Sequence, residues 1–168
     1  MEGKMKEFEV FFHGIGYDNV KLIRVQEDFT GIEVVKLAKE AGIIDTTEEE
    51  FEVFLEEKDE PLDKTRSLLL LEIKERAHFT FHHCKKIEVI VSYNGTDKAD
   101  YFSPPTKIEK ILKWALKVFE ICGADATNKV LRTENGKELA NNIRLGSLVN
   151  RPHCYIKLFL TAKVLVEG

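Results

Sequence analysis

The sequence predicts an α+β protein built from two copies of one ββαββ unit. Three observations carry that expectation. Each half opens on strand-like alternation, each half holds one amphipathic helical segment, and matched segments recur in the same order at a spacing of about 75–79 residues. The clearest match lays Glu52-Val-Phe-Leu-Glu-Glu-Lys-Asp-Glu-Pro-Leu62 over Lys129-Val-Leu-Arg-Thr-Glu-Asn-Gly-Lys-Glu-Leu139. The same register carries Leu68 onto Leu145 and Leu71 onto Leu148, and Arg76-Ala-His78 meets Arg151-Pro-His153. Thr30-Gly-Ile-Glu33 meets Thr106-Lys-Ile-Glu109, and Phe8 to Phe12 meets Ile87 to Val91. A period this long means a duplicated domain, because solenoid repeats are shorter.

In the first copy, Phe8, Val10 and Phe12 alternate in a strand, Gly14 and Gly16 mark a turn, and Val20 to Val25 returns as a hairpin partner. Thr30 is placed to cap a helix that carries Ile32, Val35 and Leu37 and stops near Gly42. The acidic run Asp45 to Glu50 reads as a loop and Phe51 to Leu55 as a third strand. A short strand or turn follows at Leu68 to Leu71, and Ala77 to Cys84 is the last strand.

The second copy repeats the order. Ile87 to Val91 and Ala99 to Phe102 are strands about an Asn94-Gly95 turn. Thr106 is expected to cap a helix with Ile108, Ile111, Leu112, Ala115, Val118 and Phe119 on one face. Val130-Leu131 opens a third strand, Asn135-Gly136 is a tight turn, and Tyr155 to Leu160 closes the unit. The domains are therefore placed at residues 1–85 and 86–160, with 161–168 as a tail. Lys85-Lys86 is the hinge, too short for free tumbling, which suggests a restricted dumbbell. A hairpin, a helix and a return to parallel pairing with the first strand is the β-grasp arrangement.

Composition is that of an ordinary globular protein, 43% hydrophobic and 32% charged. No apolar run approaches the ~20 residues that span a membrane, and Met1 to Met5 leads into a strand pattern without an apolar signal-like core. Residues 1–85 hold 12 basic and 20 acidic side chains, and residues 86–168 hold 13 and 9. This division reads either as drift between solvated surfaces or as two surfaces for different partners. The basic excess is too small for a nucleic-acid footprint. Cys84, Cys122 and Cys154 are scattered and odd in number, which reads as buried, reduced thiols in a cytoplasmic protein.

With these elements in place, the residues resemble ubiquitin. Asn135-Gly-Lys-Glu-Leu139 is similar to the Ala-Gly-Lys-Gln-Leu turn after ubiquitin's third strand, and Pro105 to Glu109 to the start of its helix. Leu145, Leu148 and Tyr155 to Leu160 match the segment before its tail. Two such domains followed by Val164-Leu165-Val166-Glu167-Gly168 resemble the vertebrate interferon-induced tandem modifier and the tandem modifier of bacterial Bil anti-phage operons. The bacterial kind fits better, since the tail lacks Leu-Arg-Leu-Arg-Gly-Gly. The resemblance implies a modifier, not an enzyme, joined through Gly168 to a target lysine, with Val164, Leu165, Val166 and Glu167 as the recognised tail. It implies an activating enzyme, a conjugating enzyme and a deconjugating isopeptidase as partners, and a target such as a phage structural protein. It implies no cofactor on this chain, the ATP being used by the activating enzyme. It gives neither a nucleic-acid nor a membrane partner. A noncovalent tandem adaptor is the alternative, and a sulfur carrier is disfavoured by the duplication. The position of ubiquitin's main recognition isoleucine falls on Thr133 in the second copy and Glu56 in the first, so its apolar patch is expected to be absent. Lys137 aligns with a lysine that builds ubiquitin chains.

Other constellations are weaker. On a strand His82 and His83 would point to opposite faces, leaving His82 and Cys84 short of the three or four ligands zinc takes. No metal is therefore expected at His78, His82, His83 and Cys84, and the imidazoles are assigned to the interdomain contact. Gly14-Ile-Gly16 is a hairpin turn, not a nucleotide loop, and Glu48 to Glu50 lacks the spacing of a calcium loop. Trp114 is either a core edge or an exposed anchor.

Overall fold

The computed structural model describes residues 6–16, 18–45 and 51–163. Two four-stranded mixed sheets follow one another, each with a helix across one face. The first has the order β2-β1-β4-β3, from β1 (Glu7–His13), β2 (Val20–Gln26), β3 (Glu52–Leu55) and β4 (His78–His82), and carries α1 (Gly31–Glu40). The second has the order β6-β5-β8-β7, from β5 (Ile87–Tyr93), β6 (Thr96–Phe102), β7 (Lys129–Arg132) and β8 (Tyr155–Ala162), and carries α2 (Ile108–Val118). A short α3 (Gly123–Thr127) and a 3₁₀ turn at Leu145–Leu148, neither marked in the sequence, complete the second domain. Both domains are ubiquitin-like β-grasp folds, with the first and last strands parallel at the sheet centre.

The duplication is written in the backbone. Phe11 N donates to Ala77 O and Glu88 N to Cys154 O, while Leu68 N donates to Phe29 O and Leu145 N to Thr106 O. Each of these bonds maps onto its counterpart by a shift of 77 residues. The same shift relates the helix residues buried in the two cores, Gly31, Val34 and Ala38 against Ile108, Ile111 and Ala115. This corrects the first helix face: Ile32 is 60% exposed, and Val35 and Leu37 are only partly buried. Gly31 decides the rotation. A Cβ there would lie 2.6 Å from Lys64 Cα, so the first turn comes up against the backbone of the 62–64 segment and turns Ile32 outward.

Thr30 caps α1 through a capping box with Glu33. Its counterpart is Lys107, not Thr106: Lys107 is the N-cap of α2 and makes no side-chain cap bond. Thr106 is buried, and its hydroxyl pairs with Ser103 Oγ at 3.1 Å. A hydroxyl buried beneath the helix start finds its partner there and cannot also reach the exposed amides.

Of the three leucine pairs, Leu68 and Leu145 are both fully buried. Leu139 is buried, Leu62 and Leu148 pack at the edges of their cores, and Leu71 is only half-buried. Trp114 also belongs to the core edge, with its ring edge-to-face on Phe102 at 5.4 Å. Gly14 sits in the β1–β2 turn, where a Cβ would lie 2.3 Å from Ile43 O. The acidic run at Glu48 to Glu50 lies outside the described residues.

Truncation at the two matched core sites tests the fold. Leu68→Ala and Leu145→Ala should each lose about 2–5 kcal/mol in chemical denaturation. A loss below about 1 kcal/mol at either would place that leucine outside its core.

Candidate functional site

Two places in the structure bear on function: the exit of the chain from the second domain and the joint between the domains. The exit is built from β8. Its pairing with β7 runs through Val130↔Thr161 to Lys129↔Ala162, and Lys163 N then donates to Asn128 O at 2.8 Å. Thr161 and Ala162, which the sequence reading gives to the tail, are thus held in the sheet. Arg132 fixes the exit from the side, with Nε donating to Thr161 Oγ1 at 2.9 Å and Nη1 to Gly136 O at 3.2 Å. Gly168 and the tail residues Val164, Leu165, Val166 and Glu167 lie outside the described residues.

The turn beside this exit explains the fate of the ubiquitin recognition position. Thr133 Oγ1 accepts from Lys137 N at 3.2 Å and contacts Asn135 Oδ1, so the hydroxyl is spent in holding the turn. Glu56, its counterpart, has a φ of 52° and accepts from His78 N at 3.0 Å. Neither position presents an aliphatic group. Across the open face of the second sheet, Lys157 pairs with Asp97 at 3.7 Å, and Tyr101 and Tyr155 flank Glu88 from the two neighbouring strands. The face mixes this ion pair with Ile90, Phe159 and two exposed tyrosine rings, at 63% and 54% exposure.

The joint is the second place. His82 is fully buried at the end of β4, and its Nε2–H is shared between Gly146 O at 3.1 Å and Val149 O at 3.0 Å of the second domain. Its Nδ1 accepts from Cys84 N at 3.0 Å, so the ring is neutral with a fixed tautomer. Burial lowers its pKa from 6.5 to about 4, helped by His83 and opposed by the two carbonyls. Gly146 is needed for this approach: a Cβ there would lie 2.9 Å from Pro104 Cβ and 3.0 Å from His82 Cδ2. Gly16 N also donates to Ser147 O at 3.2 Å. These contacts join the domains more closely than a restricted dumbbell.

Beside His82 a cleft of about 510 Å³ opens between the domains, lined by His13, Thr80, Arg144 and Ser147 among others, with the exposed Lys137 at its wall. His13 Nε2 and His78 Nδ1 lie 2.6 Å apart, and His13 is pushed down to about 3 by burial, by Arg144 and by His78. The acidic and basic halves also meet. Lys86 Nζ donates to Asp59 O at 2.8 Å and lies 3.8 Å from Glu60, and Lys110 lies 3.9 Å from Asp59. Part of the charge asymmetry is therefore used inside the molecule. These pairs are exposed and each contributes little.

The cysteines depart from the sequence reading. Cys84 and Cys154 form a disulfide with Cα atoms 5.8 Å apart, and Cys122 is exposed, not buried. Parallel pairing of β5 and β8 is the reason: Cys84 precedes β5 and Cys154 precedes β8, so neighbouring parallel strands set the two side by side across 70 residues of chain. His83 also departs from strand alternation, because β4 ends at His82; the two rings stack with centroids 4.4 Å apart.

The topology defines the class: this is a tandem ubiquitin-like protein. Its second domain, over residues 88–163, matches the family described as BilA ubiquitin-like domain 2. Among solved structures, the ubiquitin of Caldiarchaeum subterraneum is similar over 48% of this chain and 98% of its own, at 12% identity and a TM-score of 0.38. The N-terminal ubiquitin-like domain of the 4931431F19Rik protein is similar over 49% of this chain and 80% of its own, at 15% identity and a TM-score of 0.37. No curated protein matches the chain. Among the described residues no helix is long and apolar enough to cross a membrane.

The joint makes two predictions. The unfolded chain binds a proton at the His82 position below pH 6.5, whereas the folded chain resists it down to about 4. Stability from this group is therefore whole above pH 6.5 and falls as the pH drops toward 4, by about 3 kcal/mol in all. Denaturation midpoints measured from pH 7.5 to 4 should fall over that window. His82→Gln should remove up to about one proton from the uptake on unfolding. Gly146→Ala should cost about 1–3 kcal/mol at pH 7.5 by overpacking against Pro104 and His82; an unchanged midpoint would mean the joint opens freely.

Proposed function

We propose that this chain is a ubiquitin-like modifier, attached through the Gly168 carboxylate to lysines of target proteins in bacterial anti-phage defence. The observation that carries the reading is the BilA-type match of residues 88–163, which ends where β8 leaves the sheet and residues 164–168 continue. In this reading the chain catalyses no step. An activating enzyme adenylates Gly168 with ATP, because a carboxylate is a poor electrophile and adenylation supplies a leaving group. The acyl group then passes as a thioester to cysteines of the activating and conjugating enzymes and ends as an isopeptide, which an isopeptidase reverses. All of this is placed in the cytoplasm.

The modifier supplies two things. One is an unhindered acyl end: glycine has no Cβ, so its carboxylate can enter a narrow channel. The other is the tail sequence, in which Val164 and Val166 alternate with Leu165 and Glu167, a pattern suited to main-chain pairing in a groove of the activating enzyme. The basic second domain carries the tail and is assigned the activating-enzyme contact. The acidic first domain is assigned to the effect on targets. The absence of an aliphatic residue at Thr133 and Glu56 means that proteins built to grip ubiquitin's isoleucine patch should not bind.

The test is ATP-dependent formation of a thiol-sensitive adduct between the full chain and its cognate activating enzyme, followed by mass spectrometry of a lysine-linked tail peptide. Removing Gly168 leaves the carboxylate roughly 3.3–3.6 Å short of the reaction centre, beyond the ~3–3.5 Å contact that attack requires. Gly168→Val should block the channel instead. Both should abolish the adduct with unchanged circular dichroism. Conjugation undiminished by loss of Gly168 would favour the noncovalent adaptor.

A further inference from the structure

Where the first domain meets the second, four side chains with metal-binding chemistry converge. A ring nitrogen of His82, a ring nitrogen of His83 and Cys84 Sγ lie within 4.8 Å of one another. Cys154 Sγ is bonded to Cys84 Sγ. Their hydrogen bonds sort them. His82 has both ring nitrogens engaged, Nε2 with the Gly146 and Val149 carbonyls and Nδ1 with Cys84 N. It is a structural residue and not a ligand.

His83 is different. Its Nε2–H donates to His153 O at 3.0 Å, which fixes the proton on Nε2 and leaves Nδ1 as a lone pair. That Nδ1 is buried and has no hydrogen-bond partner. A buried acceptor with nothing to accept from costs free energy. A histidine that donates one N–H to a backbone carbonyl and keeps its other nitrogen free has the outer-shell support usual for a metal ligand. The carbonyl in question belongs to His153, the residue before Cys154, so ligand and support come from one turn.

We propose that Cys84, Cys154 and His83 bind zinc when the disulfide is reduced, so that the interdomain joint is locked by a covalent bond under oxidising conditions and by a metal under reducing ones. The balance is simple. Two molecules of a small thiol give two electrons and two protons to the sulfur pair and leave as their own disulfide. Zn²⁺ then replaces the two thiol protons. At Zn–S distances of ~2.3 Å in a tetrahedron, the sulfurs would stand about 3.8 Å apart. The cysteine Cα separation of 5.8 Å requires little backbone movement for that change. Two thiolates neutralise the ion, and the fourth position is left to water. Since Cys84 packs in the second core and follows directly on β4 of the first sheet, either lock ties the two domains at the same point. The site is independent of the conjugation proposed for Gly168.

The experiment uses the full chain. Protein reduced with a phosphine and freed of metal is titrated with Co²⁺ and with Zn²⁺. The expected result is one equivalent bound, with a near-ultraviolet thiolate-to-cobalt charge-transfer band that Zn²⁺ bleaches. Oxidised protein should show no band. His83→Ala and Cys154→Ser should weaken binding by more than the ~10–100-fold that loss of a mere supporting partner costs. Cys122→Ser should leave it unchanged. X-ray absorption at the zinc edge of the wild-type chain should show two sulfur neighbours and one imidazole, which keeps the test valid if a variant misfolds. Absence of the charge-transfer band, a zinc shell without imidazole, affinity unaltered in folded His83→Ala, or a disulfide that survives small-thiol treatment of the native protein would each overturn the proposal.

Discussion

Parallel pairing of the first and last strand in each domain is the constraint on which everything else rests. It is a contact between segments far apart in the chain, and it puts the last strand inside the sheet beside the first. The chain therefore leaves each domain from inside its sheet, beyond the end of that domain's first strand. In the first domain this exit becomes the joint, where His82, His83 and Cys84 run directly into β5. In the second it becomes the root of the tail, where Ala162 and Lys163 are held by Lys129 and Asn128. The same topological position thus serves as a lock in one copy and as an outlet in the other.

The lock is polar at its centre and depends on satisfied bonds. A buried imidazole is tolerable at the joint because both nitrogens are engaged and the ring is neutral. The 3₁₀ turn at Leu145–Leu148 brings Gly146 and Val149 carbonyls to one ring, and Gly146 lets it come close. Weak surface ion pairs at Lys86 and Lys110 add orientation more than energy. Two ubiquitin-like units joined this way present one combined surface rather than two independently tumbling ones.

That surface differs from ubiquitin's where ubiquitin is most recognised. Thr133 is committed to its own turn and Glu56 to the backbone of β4, and the open face of the second sheet carries an ion pair and two tyrosines beside Ile90 and Phe159. A β-grasp core sets only the inward side chains, so the outward ones are free to specify different partners. The fold and its recognition chemistry are separable for that reason.

The sequence by itself determined the two domains, their ββαββ order and most of their core, because alternation and helical spacing are local signals that duplication states twice. It also placed Thr30 as a cap and the Asn94-Gly95 turn, both fixed by short-range chemistry. It misplaced the first helix face by one residue, because only the close approach of Gly31 to Lys64 sets that rotation. The Thr106 cap failed for a similar reason, its hydroxyl being drawn into the core by Ser103. The cysteines were unreadable from spacing alone: 70 residues separate Cys84 from Cys154, and only parallel strand pairing makes them neighbours. His83 departed from alternation because its strand ends at His82, two residues earlier than expected. What the tertiary structure decided was every contact whose partners lie in different copies or across the parallel pair, since no local pattern encodes where distant segments meet.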